Sequence, residues 1–256
     1  MKSNNQRFTA GFIMLFMTRI ITIITAGFFI LASTLHAQSR TCRIVFPERP
    51  QSAPKVAFLF NGKVSQAVTL PSMNLSEVIK LPPGELTIAI TANKITDPKN
   101  LLPKSPLLKI PENVGEFYII ITPDPENTVI PIKMNLVDTG AGKLKPGETL
   151  WYNLTDHRIA AKLGSAEMTV DPRGRTISKD PISPSGYYTA QFIYQANGKG
   201  EYAPITEQAW WHDTASKHLG FMVNTGGKLP RIYYFRDFRS PDEEESTEDV
   251  KPEETE

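Results

Sequence analysis

A chain of 256 residues with 40% hydrophobic and 9% aromatic content carries enough apolar mass for one large domain or two small ones, which excludes wholesale disorder. The net charge of +1 excludes an extended nucleic-acid footprint, since no cluster of Lys and Arg stands anywhere in it. One cysteine, Cys42, excludes an intrachain disulfide and any cysteine-based zinc site. The charge is unevenly spread: residues 1–37 hold Lys2, Arg7 and Arg19 with no acid, and residues 240–256 hold nine acids and one lysine.

The first element is an export signal. Phe8–Leu35 is almost continuously apolar apart from Arg19, and Ala37 before Gln38 suits signal-peptidase cleavage. Met17-Thr18-Arg19 followed by the apolar run is by itself a compact signal, so Met17 is an alternative start. Ile20–Leu35 is short for a membrane span, and contact with a membrane is expected only if the signal stays uncleaved. A lipoprotein anchor does not fit, because Ser39-Arg40-Thr41 precedes Cys42 where small apolar residues are needed. The expected location is periplasmic or secreted.

Beyond the signal, short apolar runs rich in Val, Ile, Thr and Tyr alternate with Pro, Gly and Asn turns, the pattern of an all-β protein. Strands are expected near residues 43–46, 55–60, 67–70, 77–81, 86–91, 107–110 and 116–122. A second set is expected near 130–137, 149–154, 159–163, 167–170, 187–195, 209–211, 219–223 and 231–235. Between the two sets lies TPDPENTVIP, Thr122–Pro131, read as a domain boundary because proline lacks the N–H of a ladder. The expected organisation is a signal peptide (1–37), a first β-sandwich domain (40–125), a second (130–239) and a disordered acidic tail (240–256). An internal echo points to two related units: Leu81-Pro82-Pro83-Gly84-Glu85 recurs as Leu144-Lys145-Pro146-Gly147-Glu148, each a turn with glycine at the positive-φ position.

In Gly186-Tyr187-Tyr188-Thr189-Ala190-Gln191-Phe192, strand alternation puts Tyr188, Ala190, Phe192 and Tyr194 on one face. The spacing resembles the tyrosine-corner strand of immunoglobulin-like domains, with Ala190 where disulfide-bearing members place cysteine. The resemblance implies that the second sandwich is immunoglobulin-like, with Trp151 or Leu150 packed opposite. More loosely, Ala53–Ala92, a strand ending in Asn-Gly and then a Pro-Gly turn and another strand, resembles repeats of uncharacterised exported bacterial β-sandwich proteins. That resemblance implies no activity.

Candidate chemistry is sparse. Leu136-Val137-Asp138-Thr139-Gly140-Ala141 resembles the active-site loop of retroviral-type aspartic proteases, but the apolar-apolar-Gly segment that must support it is missing and a Lys-rich Pro-Gly turn follows. The same stretch imitates a phosphate loop through Gly142-Lys143, yet Leu144 stands where a Ser or Thr must reach magnesium. His157, His212 and His218 show no ligand spacing, and the expectation is solvated or capping histidines with no metal. No cofactor motif occurs. The adjacent pairs Trp210-Trp211 and Tyr233-Tyr234 are the candidate ligand-binding residues, because on a strand one member of each pair faces out of the core.

The sequence reading is an exported, non-catalytic structural or binding module of a bacterial cell envelope, with an envelope protein or a glycan as partner. The alternatives are a carbohydrate-binding protein using exposed aromatics and an aspartic-type hydrolase around Asp138.

Overall fold

The computed structural model describes residues 40–50, 53–140, 142–224, 226–227 and 229–238. The expected signal peptide and acidic tail lie outside these residues. No helix among them is long and apolar enough to cross a membrane.

Sixteen strands make an all-β fold. In chain order they are β1 (Arg40–Val45), β2 (Val56–Phe60), β3 (Ser65–Thr69), β4 (Ile79–Leu81), β5 (Leu86–Thr91), β6 (Leu107–Ile110), β7 (Glu116–Pro123) and β8 (Ile132–Asp138). There follow β9 (Thr149–Asn153), β10 (Arg158–Leu163), β11 (Ala166–Val170), β12 (Arg175–Ser178), β13 (Gly186–Gln195), β14 (Tyr202–His212), β15 (His218–Val223) and β16 (Arg231–Arg236). The strands form four four-stranded sheets, ordered β4-β1-β7-β8, β3-β2-β5-β6, β12-β9-β15-β16 and β11-β10-β13-β14.

These orders reveal a repeat. Advancing every strand of the first two sheets by eight positions reproduces the other two, down to the parallel pairs β1 with β7 and β9 with β15. Each half is therefore a sandwich of the same topology. The five-residue echo falls elsewhere: it precedes β5 and β9, which do not correspond under that shift, although Gly84 and Gly147 do take φ of 86° and 83°. Pairing, not surviving sequence, carries the repeat.

Burial shows how the halves meet. The first sandwich encloses a core that includes Ile44, Phe46, Leu59, Ile88, Phe117 and Ile119. The second encloses Trp151, Ile159, Leu163, Tyr188, Ala190 and Phe192. A third core joins the opposite faces of the β4-β1-β7-β8 and β12-β9-β15-β16 sheets, through Val45, Tyr118, Ile120 and Val137 against Leu150, Leu219, Phe221 and Val223. Those two sheets are thus inner layers with apolar side chains on both faces. That is why β15 is buried at all six positions and β7 runs FYIII without alternation. The outer sheets alternate: in β13 Tyr188, Ala190 and Phe192 are buried while Tyr187, Thr189 and Ile193 are exposed.

Polar contacts lock the rim of the shared core. Asp237, directly after β16, forms an ion pair with Arg43 and accepts a hydrogen bond from the Tyr118 hydroxyl at 2.6 Å. Lys217 Nζ donates to Glu116 Oε1 at 2.7 Å and to the Thr139 carbonyl at 3.2 Å.

The segment read as a domain boundary is a hairpin. β7 and β8 pair antiparallel from Phe117–Asp138 to Pro123–Ile132, so Pro123 is the last residue of β7, Pro125 and Pro131 sit in the connection, and β8 belongs to the first sandwich. Proline interrupted the ladder only where the chain turns anyway. β12 had no expected counterpart, and β14 extends well before residue 209. Pro204 sits beside the register shift in β14, where an edge strand tolerates a missing N–H.

Candidate functional site

The four aromatics expected to bind ligand do not form one platform. Trp210 and Tyr234 turn inward against the second core. Tyr233 faces the shared core between the inner sheets. Trp211 points outward, 50% exposed, with its ring 5.0 Å from that of Tyr187, its direct partner across the β13–β14 ladder. Alternation sends the members of each pair to opposite faces, but only the tryptophan pair leaves one ring outside: Tyr233 and Tyr234 each pack against a core, because β16 belongs to an inner sheet.

What replaces the platform is a column of stacked rings. Trp210 stacks on Tyr234 at 4.9 Å and 17°, Tyr234 on His218 at 5.3 Å and 5°, and His218 on His212 at 4.7 Å. Trp151 flanks the column 5.9 Å from Tyr234. Its indole so closely covers Gly220 that a Cβ there would stand 2.0 Å from the ring. Its Nε1 donates to Ser178 Oγ at 3.0 Å.

His212 and His218 are 0% and 1% exposed, which corrects the expectation of solvated or capping histidines. Sequence reasoning missed them because they close two different sheets. The short turn after His212 carries the chain from the outer to the inner sheet, so both rings enter one core. Asp213 organises that turn by accepting from Ser216 Oγ at 2.6 Å and the Ala215 N–H at 3.1 Å.

Burial sets the electrostatics of the column. Desolvation lowers the pKa of His212, and desolvation together with the neighbouring His212 brings His218 down to about 4. Both imidazoles are therefore neutral at pH 7. The Tyr234 phenol, also desolvated, is pushed up to about 12, and it shares a hydrogen bond with Tyr188. His212 Nε2 and His218 Nδ1 are buried with no hydrogen-bond partner among the described residues. No group of three His, Cys, Asp or Glu side chains among those residues is placed to hold a metal ion.

The column ends at a groove of about 720 Å³ along the edge between β14 and the β15–β16 region. Trp210, Gln208 and Thr206 line one wall, and Arg231, Tyr233 and Leu229 line the other. Gln208 Oε1 accepts from Trp210 Nε1 at 3.3 Å and its amide donates to Thr206 at 2.9 Å. In the first sandwich the matching strands, β6 and β8, approach each other closely.

Asp138 is held locally. Its carboxylate forms an ion pair with Lys143 and accepts the Gly140 N–H at 3.1 Å, while the Thr139 and Gly140 N–H groups bond the Glu116 carbonyl. Among the described residues, Asp138 is the sole carboxylate lining the adjacent hollow of about 480 Å³. His157 accepts the Asn197 N–H at 3.2 Å, a capping role. Cys42 is buried, and desolvation raises its thiol to about 12.

No family model matches this chain, and no curated protein matches it in sequence.

Proposed function

We propose that this protein is an exported, non-catalytic binding module of the bacterial cell envelope, and that it contacts its partner through the second sandwich. One observation carries the reading. Two sandwiches share a topology, yet the groove lined by Trp210 and Tyr233 and the exposed Tyr187–Trp211 pair both lie on the second. A scaffold acquires function from the side chains grafted on it, and among the described residues it is the second copy that carries an exposed aromatic pair, Tyr187–Trp211. Export rests on the apolar run ending at Ala37. The immunoglobulin-like reading of the second sandwich rests on Tyr188, Ala190 and Phe192 along the inner face of β13.

Against the hydrolase reading stands the engagement of Asp138 by Lys143 and Gly140, with no second carboxylate among the described residues of its hollow. The test is expression of the full chain in a Gram-negative host, followed by fractionation and intact mass. The expected result is a released protein beginning near Gln38 that turns over no peptide or glycan substrate. A retained leader, or turnover by the purified protein, would overturn the proposal.

A further inference from the structure

The outer face of the β11-β10-β13-β14 sheet carries the exposed aromatic pair of the described residues. Tyr187 is 70% exposed and meets Trp211 edge to face at 78°. Moving along β13 from this pair, the same face shows Thr189 beside Ala209, small residues that leave a trough. Two residues on, one row crosses the whole sheet: Glu167 on β11, Lys162 on β10, Gln191 on β13 and Glu207 on β14. A hollow of about 430 Å³ lies at this row, lined by Lys162, Glu167, Thr169, Gln191 and Ile193.

Among the described residues, the side chains of that row have no hydrogen bond or ion pair. Lys162 and Glu167 are directly opposite each other, yet they are not among the ion pairs of the described residues. An ammonium, a carboxylate and an amide together offer donors and acceptors at fixed spacing. From the aromatic pair to this row is four residues of strand, about 13 Å at about 3.3 Å per residue. The surface therefore has an aromatic end, a smooth middle and a hydrogen-bonding end.

We infer that this face binds a neutral oligosaccharide laid along β13, with a sugar C–H face on Trp211 and Tyr187 and hydroxyls on Gln191, Lys162 and Glu167. Pyranoses present apolar C–H faces to aromatic rings and hydroxyls to mixed donors and acceptors, and three to four rings cover the distance. Two carboxylates beside one lysine repel a phosphate backbone, which sets nucleic acid aside. An added peptide strand would need a free sheet edge, whereas β13 and β10 are paired on both sides. The inference rests on the binding-module reading and supplies its ligand class.

The test is isothermal titration of the mature protein with two probes, the β-1,4-linked tetrasaccharides of glucose and of N-acetylglucosamine. Trp211→Ala, Gln191→Ala and Lys162→Ala are compared with Leu107→Ala, a control on the exposed surface of the first sandwich, and thermal melts check folding. The expected result is saturable binding of at least one probe, weakened at least about tenfold in Trp211→Ala, less in Gln191→Ala and Lys162→Ala, and unchanged in Leu107→Ala. Preference between the probes reports whether an acetamido group is read. Binding of neither probe by the wild type, or binding undiminished in a folded Trp211→Ala variant, overturns the inference. Neither outcome touches the binding-module reading, which fails on a retained leader or on turnover.

Discussion

The two sandwiches have one topology and different interiors. The first is filled chiefly by Ile, Leu, Val and Phe, with no aromatic pair stacked inside it among the described residues. The second is built round Trp151, a four-ring column and two buried histidines. An aliphatic core asks only for volume and is satisfied by many side-chain sets. The aromatic core carries polar atoms that need placing, and it ends at a groove. Strand pairing is thus what the two halves repeat, while the residues that fill them differ.

The largest expected effects fall where the halves are joined and where the second core is densest. Asp237→Ala removes the carboxylate that pairs with the Arg43 guanidinium and accepts from the Tyr118 hydroxyl, at a cost of about 3–5 kcal/mol in denaturant unfolding. Deleting Ser240–Glu256, which spares Asp237, is expected to shift the melting temperature by no more than a few degrees. Tyr188→Ala is expected to cost about 3–5 kcal/mol and Tyr187→Ala about 0.5 kcal/mol, since one is buried and the other open. Equal losses would mean that β13 presents its other face to the core. Gly220→Ala drives a methyl into the Trp151 ring, and about 1–3 kcal/mol of overpacking is expected. A silent Gly220→Ala would show that Trp151 moves aside freely, and the aromatic core would be looser than its aliphatic counterpart.

A smaller effect separates the halves by pH. Both buried histidines titrate below the ordinary 6.5, so the unfolded chain takes up protons first as pH falls. For His218 that stability is complete above about 6.5 and is lost as pH drops toward about 4, by up to about 1.4 kcal/mol per pH unit, and His212 adds a loss of the same sign. Denaturant midpoints of wild type and His218→Phe across that window should converge toward acid. Parallel curves would mean that His218 takes up its proton as readily in the fold as in the unfolded chain. Smallest of all is Asp138→Asn, expected within about 0.5 kcal/mol because Lys143 is largely exposed. Neither it nor the wild type should cleave peptides between about pH 3 and 7.

Nearly every strand was legible in the sequence, because apolar runs between Pro and Gly turns determine where ladders stop. Arg175–Ser178 was not: four residues with one apolar side chain carry no period, and the strand exists because Tyr152 to Thr149 pairs with it. The first half of β14 hid behind Pro204 and Glu207, residues that suit an edge. FYIII and LGFMV are unbroken runs of apolar and aromatic residues, the mark of strands covered on both faces, so the inner layers were written there too. The histidine pair was invisible, since its members meet only through the crossing of two sheets. That one ring of Trp210-Trp211 faces outward was legible, but which one it is, its pairing with Tyr187 and the Lys162–Gln191 row depend on register, which no local pattern sets.

The claim that the second half carries the ligand surface is tested most directly by amide-resolved NMR of the mature protein, titrated with the same two tetrasaccharides. The expected result is shift changes confined to β10, β11, β13 and β14 and to the Trp211 indole, with β1–β8 silent. Perturbations spread over the first sandwich, or equal on both, would contradict the assignment of binding to one copy of a repeated scaffold.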